Sequence, residues 1–173
     1  LYYTYQLNQK SGNIFHIASA AIKKETANYY LELIKKLNLK PTVLDISTFA
    51  NSNLALLQES KNSAVTALID ISPRALEIVL IKKGILEFSR NRTWGNTDIK
   101  DIYSAKDKSS DLLDSLSEST TKLIIRELEQ ALSSCRNIEE NESIEHIFIS
   151  GGGALASRVV KHLEKETQVS TQF

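Results

Sequence analysis

The 173-residue chain contains no methionine, one cysteine, two prolines and one tryptophan. The single cysteine, Cys135, can neither close an internal disulfide nor build a thiolate metal site, so a reducing setting is expected rather than a secretory one. Charge of one sign is not in excess: 21 Lys and Arg balance 21 Asp and Glu. That neutrality removes the general electrostatic argument for nucleic acid or an anionic membrane as partner. No apolar run approaches the roughly 20 residues of a membrane span, and no signal peptide is visible. The missing methionine, with Leu1 in first place, leads to the expectation of a fragment, a processed chain or an excised domain.

What is present is ordinary globular material, 42% hydrophobic and 24% charged, too apolar for a disordered chain. The length suits one domain or two small subdomains. Residues 1–8 and 14–18 read as strands of a hairpin turning at Gly12 and Asn13. Ala27, Tyr30, Leu31, Ile34 and Leu37 recur at helical spacing, and Pro41 is expected to end that helix. Residues 42–46 read as a buried strand and 48–58 as a second helix. The polar break at 59–63 is the expected boundary between units 1–60 and 61–173. Beyond it, 64–71, 75–81 and 85–92 read as a three-strand meander turning at Ser72-Pro73 and at Gly84, closed by Trp94-Gly95. Residues 96–119 are polar and read as a linker with at most a weak helix at 112–116. A helix over 120–136, a strand over 144–149 and a helix over 154–166 complete the pattern, which contains no internal repeat. Alternating strands and helices with an inserted meander give an α/β fold with a mixed sheet.

Two features carry potential chemistry. In Ile149-Ser150-Gly151-Gly152-Gly153-Ala154, a buried strand runs through three glycines into a helix. Glycines let the backbone approach a ligand closely, and the helix start offers unpaired N–H groups to an anion. The alternative is a connection whose glycines only allow close packing. The spacing is neither a dinucleotide fingerprint nor a Walker loop. The second feature is Asp70, at the end of an apolar strand and before a tight turn. Such a carboxylate can face a crevice and hold a metal-bound water, but taken alone a turn-capping aspartate is the favoured reading. His16, His146 and His162 share no ligand spacing, and Cys135 reads as buried and inert.

Taken in order, Val65-Thr66-Ala67-Leu68-Ile69-Asp70-Ile71, the turn at Gly84, Trp94-Gly95 and the Ser-Gly-Gly-Gly segment resemble the actin-like ATPase superfamily of actin, sugar kinases and FtsA. The wording is most similar to the PilM type IV pilus assembly proteins. Residues 18–25 and 39–46 resemble the SHS2-type subdomain inserted in PilM and FtsA. The resemblance implies a ribonuclease H-like second lobe with an SHS2-like subdomain before it, lacking the first lobe and with a shortened insertion around 96–119. It implies that Asp70 belongs to a phosphate-binding element and that Gly151, Gly152 and Gly153 form an adenosine-binding element, for ATP and Mg in the full-length protein. Ser72, Pro73 and Glu77 depart from the phosphate-binding pattern: Pro73 lacks a backbone donor, and Glu77 would repel a triphosphate. Tight nucleotide binding by this chain alone is therefore not expected, and ATPase activity is doubtful. The function implied is that of a cytoplasmic scaffold at the inner membrane of a bacterium. It would dock the N-terminal tail of a PilN-like partner near residues 1–58 and touch the membrane only through partners. Self-association, an ATPase or phosphotransferase activity, and an FtsA-type role in cell division are the alternatives.

Overall fold

The computed structural model describes residues 1–58, 65–72, 75–93, 110–135, 138, 142–151 and 156–173. The boundary expected at 59–63, Pro73, Trp94-Gly95, the stretch 96–109, and Gly152 with Gly153 lie outside them. The chain divides into two compact units, Leu1–Ala50 and Asn51–Phe173.

In the first unit, β1 (Tyr2–Ser11) and β2 (Ile14–Ile22) pair antiparallel, with a register shift between Leu7 and Gln9. Gly12 takes the left-handed conformation that the tight turn requires (φ +59°). His16, Ala18, Ala20 and Ile22 are half-buried on one face of the hairpin, whereas Phe15, Ile17, Ser19 and Ala21 are exposed on the other. The helix α1 (Lys24–Lys36) follows and buries Ala27 completely. Its end is a backbone device rather than a proline stop. Asn38, at φ +58°, donates its N–H to Lys35 O at 2.9 Å, and Leu39 donates to Ile34 O at 3.2 Å. That is a Schellman closure three residues before Pro41. The strand expected over 42–46 is not formed: these residues have no strand pairing, and Val43 and Leu44 are exposed. An apolar run becomes a strand only with a neighbour to complete its ladder, and among the described residues 42–46 pairs with neither β1 nor β2. The helix α2 (Ser47–Gln58) crosses the division between the units.

The second unit holds a five-stranded mixed sheet in the order β5-β4-β3-β6-β7. The meander is as expected from the sequence: β3 (Thr66–Ile71), β4 (Ala75–Lys82) and β5 (Ile85–Thr93), successively antiparallel. Lys83 and Gly84, both at positive φ, make the two-residue turn between β4 and β5. The next element corrects the sequence reading. Instead of a linker and a helix beginning near 120, one helix, α3 (Ser110–Ser134), runs for 25 residues. Its first half has low intrinsic propensity, because Ser and Thr compete with the backbone for hydrogen bonds. Here Ser117 and Thr120 bond within the helix. Ser117 Oγ donates to Asp114 O at 2.7 Å, and Thr120 Oγ1 donates to Leu116 O at 2.8 Å. Ser117, Thr120 and Thr121 are buried, so tertiary packing outweighs propensity.

β6 (His146–Gly151) lies parallel to β3, and α4 (Ala156–Thr167) leads back to β7 (Ser170–Gln172), a strand with no counterpart in the sequence reading. Three residues are too few for a period-2 signal. Both helices cover one sheet face. Ala67, Ile69 and Ile71 of β3 join Ile78, Ile124, Leu128, Val159 and Leu163 in the main core. Leu68, Val79 and Ile81 form a smaller cluster on the opposite face. α3 is tied to β5 by Glu127, a buried carboxylate among apolar neighbours. Arg92 Nη1 donates to its Oε1, and Arg90 Nε stands 3.3 Å from its Oε2.

Candidate functional site

The parallel pairing of β3 and β6 brings together residues eighty positions apart. Asp70 lies opposite Ser150, and Ile71 opposite Gly151. Ser150 Oγ donates to Asp70 Oδ1 at 2.6 Å. Gly151 is at φ +75°, and a Cβ there would stand 2.2 Å from the Ile71 carbonyl oxygen. Any side chain at 151 would therefore push the two strand ends apart. The glycine serves the close approach of β6 to β3, the packing role weighed against ligand binding in the sequence.

The departures from the phosphate-binding pattern have visible local consequences. Ser72 closes the turn between β3 and β4: its hydroxyl donates to Ala75 O and accepts from the Ala75 N–H, each at 3.0 Å. Glu77 lies directly across the ladder from Asp70 and is buried. Residues paired across a ladder share a face, so Asp70, Glu77 and Ser150 lie together on the face away from α3 and α4.

For a nucleotide with magnesium, these residues fit only one part. Asp70 and Ser150 are oxygen donors of the kind a hydrated Mg2+ accepts, with Asp70 the natural holder. A triphosphate needs positive charge or several free N–H donors. The residues that the ladder sets beside Asp70 are Glu77 and Ser150, with Asn91 beyond, and none is cationic. Among the described residues, no group of three His, Cys, Asp or Glu side chains could hold a metal ion by itself. Gly152 and Gly153 lie outside the described residues.

The first unit contains a cavity of about 230 Å3 between one end of the hairpin and the entry of α2. Tyr2, Tyr3 and Ile22 form one wall, and Leu44, Asp45 and Phe49 the other. It is chiefly apolar, and its carboxylate, Asp45, accepts the Ile46 N–H through Oδ1 at 2.8 Å. An extended peptide carrying a bulky apolar side chain suits such a cavity.

Sequence reasoning singled out Asp70 and the glycines but missed Ser150 as the partner of Asp70. The available signal was a polar residue ending each of two buried strands, which parallel pairing would place side by side. It also missed the cavity, because the segment 42–46 was read as buried.

A family model described as type IV pilus assembly protein PilM matches residues 2–173. No curated protein matches the chain. Among solved structures, a PilM-PilN type IV pilus biogenesis complex is similar at 16% identity and TM-score 0.70, over 99% of this chain and 55% of that one. A Bacteroides thetaiotaomicron protein with an actin-like ATPase fold and unknown function is similar at 13% identity and TM-score 0.52, over 99% and 53%. The chain thus spans about half the length of these solved proteins. The likeness gives the fold as that of the actin-like ATPases.

Proposed function

Because the chain belongs to the PilM family of type IV pilus assembly proteins, we propose that it is part of a scaffold that docks the N-terminal tail of a PilN-type assembly protein. The observation carrying this reading is the apolar cavity of Tyr2, Tyr3, Leu44 and Phe49 in the first unit. It accepts a side chain from an extended segment without requiring the chain to change fold. On this reading the protein works at the inner membrane of a bacterium because its partner is anchored there. Among the described residues, no helix is long and apolar enough to cross a membrane. A nucleotide would be a structural or switching ligand: Asp70 is engaged by Ser150 and faces Glu77, an arrangement poorly suited to phosphoryl transfer.

Calorimetric titration of a PilN-type tail peptide into the native-length protein tests this. Leu44→Ser, a change at an exposed cavity wall, is expected to weaken binding about tenfold while leaving the thermal melt in place. Wild-type binding that survives this change and a matching Phe49→Ala change would move the tail elsewhere. Absence of any peptide binding would remove the scaffold reading.

A further inference from the structure

We propose that the outward face of the β1–β2 hairpin seats on an anionic lipid bilayer. The ladder register, with its shift between Leu7 and Gln9, puts Tyr3, Tyr5 and Leu7 on the same face as Ile17, Phe15 and Lys10. The five apolar or aromatic side chains in that set are between 52% and 80% exposed. Single exposed apolar residues are common on proteins, but a continuous row along one sheet face marks a contact surface.

Charge indicates what that contact is. The whole chain is neutral, yet its first 24 residues contain no Asp or Glu. They carry Lys10 at one end of the ladder and Lys23 and Lys24 at the other. Lys10 Nζ lies 5.2 Å from the Phe15 ring centroid, on this same face. A lysine stem laid along a ring can extend its ammonium group to phosphate while the ring enters the acyl boundary. Tyrosine, apolar at one end and polar at the other, is the residue of that boundary. An apolar middle with a lysine beside the turn and no Asp or Glu in either strand matches a plane of anionic headgroups over hydrocarbon. This goes beyond tail docking and does not depend on it, since Tyr5, Leu7, Lys10, Phe15 and Ile17 stand outside the apolar cavity.

Co-sedimentation of the native-length protein with large vesicles tests the proposal, using phosphatidylglycerol mixed with phosphatidylcholine against phosphatidylcholine alone. Binding is expected only with phosphatidylglycerol and is expected to fall as salt rises. Lys10→Glu should reduce the partition coefficient at least about fivefold. Tyr5→Ser combined with Phe15→Ser should reduce it roughly tenfold. Tail-peptide binding and the thermal melt should be unchanged in both variants. If the double variant loses its fold, Lys10→Glu decides alone. Sedimentation that is absent, equal on both vesicle types or indifferent to these changes overturns the proposal. Loss of tail-peptide binding in the variants with vesicle binding unaltered would make this face a protein interface instead.

Discussion

Glu127 shows how one residue joins two elements. Its carboxylate is buried on the inner face of α3, and its partners Arg90 and Arg92 reach in from β5 with their own side chains roughly half exposed. Arg126 adds a weaker contact at 3.8 Å. The energetics are asymmetric. Removing Glu127 leaves two arginines that water can solvate, whereas removing the arginines leaves a buried charge with little compensation. Arg90→Leu with Arg92→Leu is therefore expected to cost on the order of 3 kcal/mol, and Glu127→Met about 1 kcal/mol or less. Urea midpoints of the two variants check the order, and a reversal would show that Arg126 and water suffice to hold the carboxylate. At this scale the sequence was partly legible. Asp70 and Gly151 stood out because an aspartate ending a buried strand, and glycines between strand and helix, are uncommon local patterns. Glu127 did not, because nothing near it in sequence identifies its partners. Only the pairing of β4 with β5 brings Arg90 and Arg92 to the helix-covered face.

Among the elements, α3 differs most from its sequence. A helix beginning near 120 is what apolar periodicity supports, since Leu123, Ile124, Leu128, Ala131 and Leu132 start there. The earlier turns pack through Ser117, Thr120 and Thr121, which a hydropathy pattern reads as polar. Ser119→Pro separates the two descriptions. Inside a continuous helix it removes a backbone bond and clashes with the preceding turn, for about 3 kcal/mol of stability. Just before a helix starting at Thr120 it would cost little. A thermal melt within a degree or so of wild type would therefore contradict the 25-residue helix. The meander strands were legible for the opposite reason: their buried faces are aliphatic and their turns are local.

For the molecule as a whole, burial is divided unevenly. Ala27 is the only fully buried apolar residue described in the first unit, whereas the second has the sheet-and-helix core. Hydrogen exchange on the 173-residue chain is expected to show this division. Amides of β1 and β2 should exchange at least about a hundredfold faster than those of β3 and β4, since local opening exposes little apolar surface in the hairpin. Equal protection would mean that the first unit is stabilised by contacts its own burial does not reveal. The charges divide as well. Leu1–Ala50 carries six Lys against three Asp and Glu, while Asn51–Phe173 carries 15 Lys and Arg against 18 Asp and Glu. Neutrality of the total concealed a basic, tyrosine-rich first unit.

The Arg90–Glu127–Arg92 cluster has one more consequence, for the company the sheet keeps. β5 is the outermost strand on its side of the described sheet, and its free edge could pair with a strand of another molecule. Holding two arginines along that strand, partly in water, puts like charges wherever two such edges would meet. The arginines thus help keep neighbouring copies from zipping together, and losing them would show as aggregation on concentration in addition to the lost stability.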